Sequence, residues 1–161
     1  MQPLGPKDVL AAIDELSLEV NMTTFTESTA TSQMAADQIG CKLGQIVKSL
    51  GFMVQGEPVL VLASGDGMVD DKKLSKIYEV GRKKIKTAKP EQLIEIWGYE
   101  PGGVPPFGHR TSGFPVLVDE ALQRFEVVYA AGGSHLTIFE IPLAKLVEVT
   151  GGTFADVRKE M

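Results

Sequence analysis

Residues 46–64 read IVKSLGFMVQGEPVLVLAS, and this stretch predicts a β-hairpin. Residues 47–54 have the composition of a strand, and residues 55–58 carry the glycine and proline that are typical of a turn. Residues 58–64 are apolar on both faces, as expected of a strand buried inside a sheet. The two strands of this hairpin are therefore predicted to form the buried centre of a sheet.

Helices and short strands precede and follow this hairpin. Before it, the patterns predict a helix over 6–18, a strand over 20–26 and a short helix from the N-cap Thr31 to Gly40. After it, they predict a helix capped by Asp70 or Asp71, a strand over 84–88, a helix that Pro90 opens, strands over 114–118, 125–130 and 136–141, a further strand over 145–149 and a last helix capped by Thr153. This mixture predicts an α+β fold with a mixed sheet curled around one core.

Length and composition bound the class of protein. A chain of 161 residues with 43% hydrophobic and 23% charged residues predicts one globular domain over 1–161. No apolar run approaches a membrane span, and the N-terminus lacks the pattern of a secretory signal. The single cysteine, Cys41, rules out an internal disulfide, so we expect a cytoplasmic protein. One cysteine and two histidines, His109 and His135, cannot form a zinc site of four Cys and His ligands. A carboxylate-assisted site stays open, but no metal-binding motif such as HExxH is present, and we expect no metal and no cofactor.

Charge is unevenly distributed along the chain. The net charge is −5, yet eight of the sixteen Lys and Arg residues lie in 72–89, where Glu79 alone opposes them. Such a block forms either a phosphate-facing patch on an acidic protein or a solvated helix face. The residues predicted to face a nucleic acid are Lys72, Lys73, Lys76, Arg82, Lys83 and Lys84.

Lys48 breaks the pattern of its strand. Alternate strand residues share a face, so Lys48 lies between Ile46 and Leu50 on a face that is otherwise apolar. Lysine is rarely buried without a partner. Either the strand is at an edge and the side chain reaches solvent, or the lysine lines a pocket.

Two glycine-rich loops are candidates for main-chain recognition. The loop over 98–109 is long and holds both glycines and prolines, a combination that favours a ligand-binding loop over a plain connector. Residues 130–136 join two strands with Gly132-Gly133-Ser134-His135, which is either a tight turn or a main-chain shelf beside a polar side chain. Cys41 is predicted to be a small buried hydrophobe rather than a nucleophile.

The ordered set of these segments resembles the YbaK/ProX superfamily of aminoacyl-tRNA deacylases, and is similar to the editing domain inserted in bacterial prolyl-tRNA synthetases. The resemblance covers about residues 20–150. It rests on Gln45-Ile46-Val47-Lys48-Ser49-Leu50, Val59-Leu60-Val61-Leu62-Ala63-Ser64-Gly65-Asp66, Asp71-Lys72-Lys73-Leu74, Gly102-Gly103-Val104-Pro105-Pro106-Phe107-Gly108, Val116-Leu117-Val118-Asp119 and Ala131-Gly132-Gly133.

The resemblance implies a barrel-like mixed sheet with flanking helices and hydrolysis of a wrong amino acid from tRNA. The catalytic residues that it implies are Lys48, Gly102, Gly103 and His135. The substrate-binding residues are Thr31, Met53, Val104, Pro105, Pro106, Gly132, Gly133 and Ser134. The implied partners are aminoacyl-tRNA and prolyl-tRNA synthetase, with the chain as a monomer or homodimer.

Three functions are compatible with these residues. The leading prediction is a free-standing hydrolase that removes alanine, cysteine, serine or threonine from tRNA, with tRNA for proline as the expected carrier. The second is a non-catalytic module on the same fold that binds tRNA or a synthetase. The third is a transferase that uses Cys41 as its nucleophile.

Overall fold

The computed structural model describes residues 1–160 and shows an eight-stranded mixed sheet with helices packed around it. The strands are β1 (Met22–Thr24), β2 (Ile46–Val54), β3 (Glu57–Ser64), β4 (Ile85–Thr87), β5 (Val116–Asp119), β6 (Val127–Ala131), β7 (Thr137–Pro142) and β8 (Thr153–Ala155). Their order is β1-β7-β6-β2-β3-β5-β8, and β4 pairs with β2 beside this path.

Five helices accompany the sheet. They are α1 (Pro6–Glu15), α2 (Ser32–Ile39), α3 (Asp71–Tyr78), α4 (Pro90–Gln92), which continues as a π-helical turn over Leu93–Trp97, and α5 (Leu143–Thr150). Short 3-10 turns lie at Leu43–Gln45, Arg82–Lys84 and Glu120–Arg124. No helix of residues 1–160 is long and apolar enough to cross a membrane.

The predicted hairpin is confirmed as β2 and β3. The two strands pair antiparallel from Val47 opposite Ser64 to Val54 opposite Glu57. Gln55 and Gly56 form the turn, and both have positive φ, the geometry whose twist suits a two-residue hairpin. Residues 59–64 are all buried, which confirms that β3 lies inside the sheet.

The two faces of the hairpin contribute to two separate clusters of the core. In β3, Leu60 and Leu62 pack into a large cluster with Trp97 and Tyr99. The alternate residues Val59, Val61 and Ala63 pack into a second cluster with Leu74 of α3. Because strand side chains alternate, one strand supports both clusters.

A second hairpin and three parallel pairings complete the sheet. β6 and β7 pair antiparallel, and β6 joins β2 in parallel. β5 joins β3, and β8 joins β5, both in parallel. The prediction of an α+β fold with a mixed sheet is confirmed, but within residues 1–160 the edge strands β1 and β8 do not pair with each other. Closure into a barrel is therefore not shown.

Local capping signals identified two helices correctly. The Thr31 hydroxyl accepts a hydrogen bond from the Met34 amide at 3.1 Å, and Gly40 ends α2 with a φ of 80°. Asp70 caps α3 by accepting from the Lys72 amide at 2.9 Å. These caps confirm the predicted start and end of α2 and the predicted start of α3.

Two predictions near the C-terminus were wrong. Residues 145–149 belong to the helix α5, because Leu143 and Leu146 bury one helical face while the valines that suggested a strand lie around it. Thr153 begins the strand β8 and caps no helix. Pairing with β5 decides this conformation, which three residues cannot encode by themselves.

Candidate active site

A cavity of about 720 Å³ opens beside β2, where the strand lacks a neighbour. On the edge away from β3, β2 pairs with β6 only at Ile46 and Val47, and with β4 only from Phe52 to Val54. Among the described strands, none covers residues 48–50 on that edge. The cavity therefore reaches the main chain of the central strand.

The register shows which main-chain groups face this gap. Alternate residues of an antiparallel strand direct their N–H and C=O groups to opposite edges. The Gln55 amide donates to the Lys84 carbonyl, and the Gly51 carbonyl accepts from the Ala88 amide, each at 2.9 Å. Odd-numbered residues of β2 thus face β4, so the main-chain groups of Ser49 face the open gap.

Lys48 lines the cavity from this central strand. The alternative that it lies on an edge strand is wrong, because β2 pairs with β3, β4 and β6. Its ammonium donates to the Gly67 carbonyl at 2.8 Å, which leaves two of its three N–H donors for other partners. Burial lowers the pKa of Lys48, the Arg158 charge lowers it further, and Asp119 and Asp66 oppose the shift.

The turn after β3 is held by a network of charges. The Asp66 carboxylate accepts from Arg124 twice, at 2.9 Å each, and from Arg158 at 2.7 Å. The Arg124 guanidinium, with burial opposing it, holds the pKa of Asp66 well below its usual range. Ser64 is fully buried and donates to the Gly44 carbonyl at 2.6 Å, while its amide donates to Asp119.

Sequence reasoning missed this network. Asp66 lies 58 residues from Arg124 and 92 residues from Arg158. Nothing in the local pattern links positions so far apart. The local signal was Asp66 itself, a carboxylate in the turn that follows the apolar residues of β3.

The loop over 98–109 brings two of its predicted residues to the cavity. Gly102 and Val104 line it, whereas Gly103, Pro105 and Pro106 are buried and do not. Gly102 adopts a φ of +86°, which favours glycine, and an added Cβ would lie 3.2 Å from the Cβ of Ala30. The loop therefore forms one wall through main chain and small apolar groups.

The second glycine loop packs behind the first. A Cβ added to Gly103 would lie 2.8 Å from the Cα of Ser134, so the two main chains are in direct contact. Gly132 and Gly133 are buried, and Gly133 packs against Gly5. These residues support the loop that lines the cavity, and none of Gly132, Gly133 and Ser134 lines it directly.

Internal hydrogen bonds decide which glycine-loop amides stay free. The Gly103 amide donates to the Glu100 carbonyl at 3.1 Å, the Gly132 amide to the Thr137 carbonyl at 2.9 Å, and the Ser134 amide to the Thr137 hydroxyl at 3.2 Å. Among the described residues, the amides of Gly102, Val104 and Gly133 have no hydrogen-bond partner. Gly102 and Val104 also line the cavity, so their amides are the candidate donors to a ligand there.

The two histidines lie outside the cavity. His135 is exposed, and its Nδ1 is 3.4 Å from the Ser28 hydroxyl, while its carbonyl accepts from the Thr29 amide at 2.6 Å. His109 is shielded from solvent, which lowers its pKa to about 4. Its Nε2 is 2.7 Å from the Pro105 carbonyl and must donate, so a neutral ring fixes the loop.

Three other predicted residues differ in their relation to the cavity. Thr31 lines it, although its hydroxyl is used in capping α2. Met53 points to the opposite face of β2 from Lys48 and packs into the large core cluster. Cys41 is half-buried outside the cavity, and burial raises the pKa of its thiol, so the arrangement gives no support to a cysteine nucleophile.

The basic segment borders the cavity. Asp71, Thr87 and Ala88 line it, and they flank or lie within residues 72–89. Most cations of this segment are exposed; Lys73 is half-buried and pairs with Asp156 at 2.8 Å. The exposed residues are Lys72, Lys76, Arg82, Lys83, Lys84, Lys86 and Lys89. A ligand in the cavity would therefore have a cationic surface beside it.

Together, the fold and the cavity define a small α+β domain that can hold a ligand of adenosine size next to a cationic surface. Within residues 1–160, no group of His, Cys, Asp and Glu side chains has the arrangement of a metal site. The sequence model of the aminoacyl-tRNA editing domain matches residues 26–149, and the chain belongs to this family.

Relatives and solved structures agree with this assignment. The chain is 35% identical to the uncharacterized protein YwhH of Bacillus subtilis over 143 residues, 88% of each chain. It is 38% identical to a proline–tRNA ligase of Lactobacillus gasseri over 71% of this chain, which spans only 20% of the ligase. A crystal structure of a proposed trans-editing enzyme for prolyl-tRNA synthetase shares 32% identity and a TM-score of 0.89, covering 96% of this chain and 97% of that one. These likenesses support an editing role.

Proposed function

We propose that this protein is a trans-editing hydrolase that removes a small, wrongly attached amino acid from tRNA. One observation carries the proposal: Lys48, Gly102 and Val104 line the same cavity next to a basic surface, and the amides of Gly102 and Val104 have no partner among the described residues. An ester between an amino acid and the terminal ribose needs such groups, because its carbonyl oxygen gains negative charge during hydrolysis.

The proposed reaction is water addition to the ester carbonyl. A C–O bond forms from water, the bond to the ribose oxygen breaks, and the products are a free amino acid and an uncharged tRNA. The free amides would stabilise the oxyanion, and one such donor is typically worth about 3 kcal/mol. Lys48 would hold the terminal phosphate or the carbonyl as a point charge. By resemblance to the family, a ribose hydroxyl of the substrate takes part in the proton transfer.

The cavity walls support selection by size. Ile46, Leu50, Ala130 and Ile138 supply apolar surface, and about 720 Å³ suffices for an adenosine carrying a small side chain. A hydrophobic pocket gains only about 1–3 kcal/mol per methylene, so editing sites exclude large residues more effectively than they prefer small ones. Alanine, cysteine, serine and threonine are the proposed substrates, and tRNA for proline is the proposed carrier.

The exposed cations of 72–89 are proposed to contact the tRNA phosphates. They lie on the surface beside the cavity, as a tRNA acceptor stem with its end in the cavity would require. The similarity to part of a proline–tRNA ligase supports prolyl-tRNA synthetase as a partner. His135, Gly103, Gly132, Gly133 and the prolines of the loop are proposed to act by supporting the cavity wall.

The deciding experiment is amino-acid release from alanyl-, cysteinyl-, seryl- and threonyl-tRNA for proline, with prolyl-tRNA as the correctly charged control. Lys48→Ala tests the site, and Lys42→Ala, an exposed lysine outside the cavity, is its matched control. We expect selective hydrolysis by the wild type and Lys42→Ala, and a loss of at least about 100-fold in Lys48→Ala.

Two results would contradict this proposal. Full activity of a folded Lys48→Ala variant would remove Lys48 from the mechanism. Binding of tRNA without turnover of any substrate would favour the alternative, a non-catalytic module that binds tRNA or a synthetase.

A further inference from the structure

The residues after β8 lie along the turn that receives Lys48. The Asp70 amide donates to the Val157 carbonyl, and the Lys159 amide donates to the Met68 carbonyl, each at 2.8 Å. Val69 forms a β-bridge with Arg158 between these two bonds. The segment 157–159 therefore holds the residues just after Gly67, whose carbonyl accepts from Lys48.

Arg158 fixes the turn itself. Its guanidinium donates to the Asp66 carboxylate at 2.7 Å and to the Asp66 carbonyl at 3.0 Å. The same guanidinium lies against Gly67, where an added Cβ would come within 2.7 Å of its Cζ. The Arg158 side chain thus holds both the main chain and the carboxylate of Asp66, the residue just before Gly67, whose carbonyl Lys48 contacts.

Because the Asp66 carboxylate is already bonded to other side chains, it does not pair with Lys48. The two Asp66 oxygens accept from Arg124 and Arg158. Among the described residues, Lys48 has no carboxylate within ion-pair distance and bonds a neutral carbonyl instead. An ammonium on a neutral carbonyl keeps its charge available to a substrate, whereas an ammonium paired with a carboxylate does not.

From these contacts we infer that Arg158 is a positioning residue for Lys48. It saturates Asp66 and fixes the Gly67 carbonyl, so that the Lys48 ammonium stays at the cavity wall with its charge uncompensated. This inference rests on the proposed function of the cavity. It goes beyond the family match, because residues 26–149 include Lys48, Asp66 and Arg124 but not Arg158.

The charges around Lys48 supply a direct readout of this role. The Arg158 charge lowers the Lys48 pKa, while Asp119 and Asp66 raise it and burial lowers it. Removing the guanidinium would take away one cation and expose Asp66 to the ammonium. Both changes act in the same direction, so the pKa of Lys48 would rise.

The test replaces Arg158 by methionine, which keeps much of the side-chain volume without the charge. We expect Arg158→Met to lower kcat on mischarged tRNA by roughly 10- to 100-fold, with KM changed less than about threefold, because the reacting groups are misplaced rather than lost. NMR titration of the Lys48 ammonium should show a raised pKa in the same variant.

Two further variants separate positioning from folding. Arg158→Lys keeps the charge but cannot donate to both the Asp66 carboxylate and the Asp66 carbonyl as the guanidinium does. Its kcat should lie between those of Arg158→Met and the wild type. Asp156→Asn breaks the ion pair with Lys73 but keeps an oxygen that can accept from the Arg158 amide, and it leaves the Arg158 side-chain contacts with the turn in place, so it should keep the wild-type kcat and Lys48 pKa.

Unchanged kcat and an unchanged Lys48 pKa in folded Arg158→Met would overturn the inference, as would an equal effect of Asp156→Asn. If Arg158→Met does not fold, Arg158→Lys decides: a wild-type kcat and Lys48 pKa overturn the inference. The titration needs no substrate, so it judges Arg158 even if the wild type hydrolyses no aminoacyl-tRNA.

Discussion

Two walls of the cavity are held by opposite means. The Ser64–Gly67 turn is fixed by charges, with two guanidinium groups on the Asp66 carboxylate. The Gly102–Val104 loop is fixed by close packing of main chain, with Gly103 against Ser134. One wall should therefore respond to charge and pH, and the other to the addition of a single carbon atom.

The two walls meet at the start of α2. A Cβ added to Gly65 would lie 2.9 Å from the Ser32 side chain, and one added to Gly102 would lie 3.2 Å from Ala30. Residues 30–32 therefore touch both walls. A substitution that loosens the first turn of α2 should therefore destabilise both the Ser64–Gly67 turn and the Gly102–Val104 loop.

The largest effect is expected from Gly103→Ala. The new Cβ would lie 2.8 Å from the Cα of Ser134, where neither main chain can yield cheaply. We expect a loss of about 1–3 kcal/mol in the free energy of unfolding and loss of most hydrolysis. Urea unfolding and the release assay measure both. Gly81→Ala, whose Cβ would meet open space, is the control, and an equal effect there would break the comparison.

Asp66→Asn tests the charge-held wall. The amide keeps the shape but loses the charge that pairs with Arg124 and Arg158, so we expect a loss of about 1–2 kcal/mol in the free energy of unfolding at pH 7. The folded pKa of Asp66 lies below its unfolded value of about 3.9. Its stabilisation is therefore complete above that value and is lost as the pH falls through the folded pKa.

Urea unfolding at pH 7 and pH 3 provides the measurement. The gap between wild type and Asp66→Asn should be smaller at pH 3. The difference in free energy of unfolding between wild type and Gly103→Ala should be unaffected by protonation of Asp66, because the Gly102–Val104 loop carries no part of the charge network. A pH-independent gap for Asp66→Asn would show that charge does not hold the turn.

Thr31→Ala tests whether α2 couples the two walls. Loss of the cap to the Met34 amide should cost about 1 kcal/mol in the free energy of unfolding. Hydrogen exchange should then rise both at Gly65 and at Gly103, whose amides are hydrogen-bonded in the two walls. Gln33→Ala, an exposed residue of the same helix, should leave both amides unchanged. Faster exchange on one side only would show that the walls are independent.

The smallest effect is expected from Lys83→Ala, which separates charges that hold structure from charges that face solvent. Lys83 is exposed and has no ion-pair partner among the described residues. We expect an unchanged free energy of unfolding. When the logarithm of the tRNA binding constant is plotted against the logarithm of salt concentration, the magnitude of the slope should be smaller by about 1. Lys145→Ala, a surface lysine on α5 that pairs with Glu148, is the control for binding titrations at several salt concentrations.

Short-range patterns accounted for the correct predictions. The apolar run of β3, the glycine turn before it and the caps at Thr31 and Gly40 each depend on residues close together in the chain. The errors at 145–149 and Thr153 arose where packing and strand pairing outweighed local preference. For the site, Lys48, Thr31, Gly102 and Val104 line the cavity as predicted positions, while Met53 and His135 lie outside it.

Local sequence pattern was enough to predict the central hairpin, a lysine that does not fit its apolar strand and two glycine-rich loops. The folded chain selects which loop amides line the cavity and which charged side chains meet at the turn. Hydrogen bonds inside the two loops use the amides of Gly103, Gly132 and Ser134, whereas long-range contacts bring Gly102 and Val104 to the wall of the cavity. They also bring Arg158 to Asp66 across 92 residues, because hydrogen bonds are settled by distance in space and not along the chain.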